Sequence, residues 1–159
     1  RTASGVKGIT LAGPDDEVVG MVIAKEGEED ILVISENGFG KRSSLEDYRV
    51  TNRGGKGVKT INLTGKTGHL VAIKAVTDED DLMIITWAGI AIRLNISALR
   101  VMGRNTQGVR LINLRDDDQI AAATQVPSDN GEEALENLGE DAQVSPDKPD
   151  NQQEDSTES

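Results

Sequence analysis

The chain contains no cysteine, one histidine (His69) and only three aromatic residues, Phe39, Tyr48 and Trp87, among 159 residues. Each scarcity closes a line of chemistry. Without cysteine there is neither a disulfide framework nor a thiolate metal site. A single histidine has no second imidazole to join it in a metal site, and reads as a solvated or packed side chain. Three aromatics are too few for a platform on which single-stranded bases stack. No run of 18 apolar residues occurs, which excludes a transmembrane helix.

Two further motifs fall short. Carboxylates cluster at 15–17, 28–30, 78–81 and 116–118, but none forms the Asp-x-Asp-x-Asp-Gly loop of a calcium site. They read as solvated loops. Gly65-Lys66-Thr67 imitates a phosphate-binding loop, yet Thr60 stands where the first glycine is needed, and the following residues 69–73 read as strand rather than helix. It reads as a turn. No convergent catalytic set is present, so neither catalytic nor metal residues are expected in this chain.

Cations are also scarce in one place. Residues 128–159 hold Lys148 against 11 acids, a balance of −10, whereas residues 1–127 hold 16 Lys and Arg against 17 acids, a balance of −1. The low isoelectric point belongs to the tail, and the remainder is free to meet a polyanion. With Leu135, Leu138 and Val144 as its only large apolar residues, the tail cannot bury enough surface to offset ordering entropy and is expected to be disordered. The division predicted is 1–127 folded and 128–159 acidic tail.

What is present is a phrase written three times. Arg1, Gly5, Val6, Lys7, Ile9 and Leu11 return as Arg53, Gly57, Val58, Lys59, Ile61 and Leu63, and again as Arg104, Gly108, Val109, Arg110, Ile112 and Leu114. The pattern is R-x3-G-V-[KR]-x-I-x-L, and a period near fifty residues marks a repeat architecture. Inside one unit the pattern is that of short strands: Val6, Ile9 and Leu11 begin it, the β-branched runs 18–23 and 31–34 follow, then 39–42, and the plan returns at 70–73, 82–87 and 90–94. Asn37-Gly38 between two such runs predicts a hairpin with a tight primed turn. Short helical stretches are expected near 44–47 and 96–99. About four strands per unit is the arithmetic of a propeller-like blade. The fold class is therefore all-β, with roughly two and a half blades. An incomplete ring and an initial Arg1 in place of methionine predict a fragment of a longer array.

Every copy carries cations at equivalent places. Arg1 and Lys7 match Arg53 and Lys59, then Arg104 and Arg110; Arg42 matches Arg93, and Arg49 matches Arg100. Lys41 and Lys56 extend the set. A repeat array sets equivalent residues along one edge, so these side chains are expected to form a positive stripe, with the acids on other faces. Gly54, Gly55 and Gly57 would let backbone N–H groups approach a phosphate closely. With no recognition helix, the mode expected is salt-dependent contact with the backbone of duplex DNA, largely indifferent to base sequence.

Thr51-Asn52-Arg53-Gly54-Gly55-Lys56-Gly57, with the paired element at 104–112, resembles the C-terminal domain of bacterial DNA gyrase A. The family's box is Q-R-R-G-G-K-G; the last five places match and the first two depart, which suits a late blade. The resemblance covers about residues 1–127, and the related C-terminal domain of topoisomerase IV is the alternative. It implies a β-pinwheel whose blades exchange strands, wrapped by DNA on its basic perimeter. The implied partners are double-stranded DNA, the rest of gyrase A, and gyrase B, assembled as a heterotetramer in the bacterial cytoplasm. It also implies no cofactor in this part, with ATP and Mg2+ acting elsewhere in the holoenzyme. The acidic tail would compete with DNA for the rim. A protein-interaction propeller of Trp-Asp repeats fits less well, because its Gly-His and Trp-Asp marks are absent and its repeat is some ten residues shorter.

Overall fold

The computed structural model describes residues 4–115 and 117–128. Arg1 and the expected acidic tail, from residue 129 on, lie outside the described residues. Two hairpins set the plan. In the first, β1 (Asp30–Ser35) pairs antiparallel with β2 (Phe39–Ser44), from Asp30 opposite Ser44 to Ile34 opposite Gly40. Two later strands are β3 (Leu70–Val76) and β4 (Asp80–Thr86). The second hairpin pairs β4 with β5 (Ala91–Asn95), from Asp81 opposite Asn95 to Ile85 opposite Ala91. The two registers are the same pattern displaced along the chain, so the sequence repeat is a structural one.

The helical stretches expected after each hairpin are single 3-10 turns, Leu45–Asp47 and Ile96–Ala98. Each opens on a side-chain cap: Ser44 Oγ accepts the Glu46 N–H at 3.3 Å, and Asn95 Oδ1 accepts the Ser97 N–H at 2.9 Å. Such caps satisfy a donor that a one-turn helix cannot satisfy itself.

Strands from later copies complete the sheets. β3, from the second copy, pairs with β1. In the third copy, β6 (Val109–Arg110) adds to the free edge of β2, and β7 (Ile120–Pro127) pairs with β4. The β1–β3 and β4–β7 pairings carry an irregularity at the matching place, Ile34/Ser35 and Ile85/Thr86. One sheet therefore runs β3-β1-β2-β6 with strands from three copies, and the other runs β5-β4-β7 with strands from two. This is strand exchange between successive repeats, as a pinwheel requires.

Residues 6–11 and 18–23, expected as strands, carry no strand pairing. The topology explains the difference. Each counterpart of 18–23, namely β3 and β7, bonds to the hairpin of the copy before it. Among the described residues no hairpin precedes residue 18, and Val18, Met21 and Ile23 are accordingly exposed.

The apolar runs sort by face. Leu32 and Ile34 of β1 pack with Leu82, Ile84, Ile96, Ile112 and Ile120, joining the two sheets. Ile31 and Val33 point the other way, into a second cluster with Ile61 that Val22, Ala24 and Tyr48 cover. β1 is buried on both faces, which is why it reads as an unbroken apolar run. Each such side chain contributes roughly 1.5–3 kcal/mol on burial.

The hairpin turn at Asn37-Gly38 is not the primed turn expected. The Gly38 N–H donates to the Ser35 carbonyl at 3.1 Å, and Gly38 alone takes positive φ (82°), while Asn37 does not. This is an ordinary turn closed by a left-handed glycine, the three-residue hairpin loop. A Cβ at Gly38 would also sit 2.7 Å from the Ile112 carbonyl oxygen. Gly38→Ala is therefore expected to destabilise the fold by about 1–3 kcal/mol, read as a lower denaturation midpoint in urea.

Candidate nucleic-acid interface

The repeated phrase owes its glycine to backbone geometry. Gly5, Gly57 and Gly108 all adopt the left-handed conformation, with φ of 88°, 78° and 78°. The turn so formed presents its carbonyls to the neighbouring copy. The Thr10 N–H of the first copy donates to the Gly55 carbonyl of the second at 2.8 Å, and the Asn62 N–H of the second donates to the Thr106 carbonyl of the third at 2.9 Å. One bond, repeated in register, lays three successive boxes side by side. At the first junction the Gly54 N–H also donates to the Gly8 carbonyl at 2.7 Å, and Thr10 Oγ1 donates to the Gly54 carbonyl at 2.6 Å. The Gly54 N–H is thus engaged inside the fold, which removes it from the expected set of phosphate donors.

Around this row stand most of the expected cations. Lys7, Arg49, Arg53, Lys56, Lys59, Arg100 and Arg110 are exposed, and none pairs with a carboxylate among the described residues. Lys59 and Arg104, from successive copies, line one open cleft of about 410 Å³ with Asp47, Gly103, Asn105 and Thr106. Arg104 is half-buried because its guanidinium lies over the Tyr48 ring, 5.9 Å from its centre. The Tyr48 hydroxyl hydrogen-bonds Thr60 Oγ1, so the ring that supports Arg104 is tied to the segment that carries Lys59. Charge from two boxes is delivered to one place by packing, before any ligand arrives.

Three of the expected cations serve the fold instead. Lys41 is 1% exposed, and its ammonium donates to the carbonyls of Thr60, Gly103 (3.1 Å) and Arg104 (2.5 Å). Burial pushes it below the ordinary lysine range; the Asp47 carboxylate opposes that and nearby Arg104 adds to it. Arg42 is buried and gives Nε to Asp30 (2.7 Å) and Nη1 to Asp78 (2.6 Å). Arg93 repeats the first of these bonds, Nε to Asp81 at 2.6 Å, and donates Nη2 to the Pro127 carbonyl at 3.1 Å. Lys41 and Arg42 are buried and committed to these bonds, whereas Arg93 stays exposed, with Nε and Nη2 engaged.

A profile of the DNA gyrase C-terminal domain, beta-propeller, matches residues 1–25, 29–77 and 80–127. The chain belongs to that family. DNA gyrase A of Staphylococcus aureus strain MRSA252 is 48% identical over 155 residues, which is 97% of this chain and 17% of that protein. Its counterpart in strain NCTC 8325 is 47% identical over the same span. The chain thus spans about a sixth of the length of the curated relatives it matches. Among solved structures, the C-terminal domain of DNA topoisomerase IV aligns with a TM-score of 0.70 at 20% identity, over 84% of this chain and 42% of that one. The DNA gyrase A C-terminal domain aligns with a TM-score of 0.58 at 24% identity, over 64% and 39%. These two likenesses establish the fold.

In this gyrase-family domain the acids do not segregate to faces of their own, contrary to expectation. Asp30, Asp78 and Asp81 pair with arginines, and Asp47 lines the cleft of Lys59 and Arg104. Others close turns: Asp16 Oδ2 accepts the Ala12 N–H at 2.7 Å, and Asp80 Oδ2 accepts the Thr77 N–H at 2.7 Å. Burial pushes the Asp80 carboxyl up, but bonds from Gln125 and Thr77 outweigh it and hold the group below the usual range. Among the described residues no three metal-ligating side chains converge.

The two repeated ion pairs differ in burial, and that sets a test. The Arg42 side chain is 8% exposed against 40% for Arg93. Arg42→Met leaves Asp30 desolvated without its partner and is expected to lower stability by about 3–5 kcal/mol. Arg93→Met, whose site water reaches, should lose clearly less in the same denaturant titration.

Proposed function

We propose that the row of boxes is a track for the backbone of duplex DNA, and that the chain is the DNA-wrapping part of a type II topoisomerase of the gyrase kind. The carrying observation is the recurring bond from one copy to the next copy's box, Thr10 to Gly55 and Asn62 to Thr106, with exposed cations in each copy. Lys7, Arg49, Arg53, Lys56, Lys59, Arg100, Arg104 and Arg110 are the contacts assigned; Arg1 joins them by its place in the repeat. Gly55 and Gly57 keep the box backbone thin beside the duplex, with no Cβ between chain and phosphate.

The energetics suit a repeated rather than a single contact. Bending a stiff duplex by tens of degrees costs on the order of 1–6 kcal/mol. Each cation that neutralises a phosphate releases a counterion, so cations spaced along the path offset the bend as it grows. The helices among the described residues are two single 3-10 turns, too short to serve as a recognition helix, which favours backbone contact over base readout. Wrapping would present a crossing segment to a cleavage core elsewhere in gyrase A, with gyrase B supplying ATP hydrolysis and Mg2+ acting outside this domain, in the cytoplasm. The curated relatives are gyrases at 47–48% identity, which favours gyrase over topoisomerase IV.

Arg53→Ala combined with Lys56→Ala, made in the full-length protein, is the direct test. Both residues are exposed in one box. The double variant is expected to shorten the protected DNA length and to lower the salt slope of duplex binding by about 1.8, at about 0.9 per phosphate, while DNA cleavage by the core persists. Unchanged wrapping and slope would remove the assignment.

A further inference from the structure

Phe39, the first residue of β2, is almost fully buried, and two cations stand over its ring. Arg110 lies 5.2 Å from the ring centre and Lys66 lies 5.5 Å from it. The three come from three copies: Phe39 from the first hairpin, Lys66 from the turn at 64–68 of the second, and Arg110 from β6 of the third. Each is held in place independently of any ligand. Phe39 sits opposite Arg110 in the β2–β6 ladder. Asn37 Nδ2 donates to the Lys66 carbonyl at 3.2 Å, and the Asn37 N–H donates to the Thr67 carbonyl at 3.2 Å. The turn itself is closed by the Thr64 N–H donating to Thr67 Oγ1 at 2.8 Å.

Both head groups lie within 5.5 Å of one ring centre, and neither pairs with a carboxylate among the described residues. The carboxylate of the adjoining turn, Glu36, directs Oε1 to the His69 N–H at 2.8 Å. Arg110 donates Nη1 to Asn113 Oδ1 at 3.2 Å, an uncharged partner. The ring attracts both head groups by its electron-rich face but cannot discharge them. An anion with two or more oxygens that meets both the guanidinium and the ammonium would gain two charge-assisted hydrogen bonds.

We propose that Lys66, a residue outside the boxes, joins the box cation Arg110 on Phe39 to form a seat for one backbone phosphate of duplex DNA. Lys66 lies outside the repeated phrase; Pro14 and Asp117 stand at its counterparts in the other copies. The seat therefore occurs once in this chain, as a pinning point on an otherwise periodic track. The inference rests on the duplex-binding reading above.

The test uses the full-length protein carrying this chain, and measures duplex binding across a salt series for the parent, Lys66→Ala, Arg110→Ala, the double variant and Lys25→Ala. Lys25 is exposed beside Glu28, remote in sequence from the seat, and serves as a charge control. Lys66→Ala and Arg110→Ala are each expected to weaken binding roughly threefold to tenfold at moderate salt. Because both hold the same phosphate, the double variant should lose little more than the weaker single variant. Lys25→Ala should bind as the parent does. Parent-like binding by Lys66→Ala overturns the seat, as do fully multiplicative losses in the double variant or an equal loss in Lys25→Ala. A parent whose duplex binding is absent or insensitive to salt would overturn the duplex-binding reading itself. A normal parent that loses binding through Arg53 and Lys56 but not Lys66 would overturn the seat alone.

Discussion

The hydrogen bond from Thr10 to Gly55, and its copy from Asn62 to Thr106, fixes how one repeat meets the next. The box that offers its carbonyl to the neighbouring copy runs through left-handed backbone, and that backbone is why glycine recurs at 5, 57 and 108. Spacing between boxes then follows from main-chain geometry rather than from side-chain packing. Side chains hung on that frame inherit a regular interval. For a ligand as stiff and evenly charged as a duplex, a regular interval is more useful than a dense patch.

Strand exchange reinforces the same constraint. Because β3 closes the sheet of the hairpin before it and β7 does the same one repeat later, no copy can shift without disrupting its neighbour's ladder. Lys41 adds a polar tie at the same junction. Its ammonium bonds carbonyls of Thr60 in the second copy and of Gly103 and Arg104 in the third, so a residue of the first copy holds two later boxes at a fixed separation. A buried ammonium is tolerated only when its hydrogen-bonding capacity is filled, and three backbone oxygens fill it.

How much of this the sequence shows depends on what repeats. The hairpins at 30–44 and 80–95 are legible because apolar runs of strand length are bounded by turn chemistry. The 3-10 turns are legible as short helical stretches leading into the next copy, and their caps Ser44 and Asn95 emerge with the structure. The pinwheel itself follows from the family resemblance. The cations are legible as a set but not by role, since recurrence reports an equivalent environment, and an interior ion pair recurs as faithfully as a surface contact. A signal separating them is available: Asp30 precedes Arg42 and Asp81 precedes Arg93 by the same interval, so acid and base repeat together. Lys41 also has a marker. Its counterpart is Ile92, and both stand opposite core residues of the partner strand, Val33 and Ile84. An apolar residue at the sister position indicates an inward-facing site.

Lys66 illustrates what periodic reasoning passes over. No cation stands at its counterparts in the other copies, and its motif reads as an incomplete phosphate loop, which in its backbone it is: a closed turn with no helix behind it. Its charge acquires a neighbour only through topology, because β6 crosses two repeats to lie on β2 and brings Arg110 to Phe39. A contact between residues of three different copies leaves no trace in any one of them. Periodicity therefore finds the parts of an interface that every blade shares, whereas a site built once, at a junction, becomes visible only when the strands are seen to exchange.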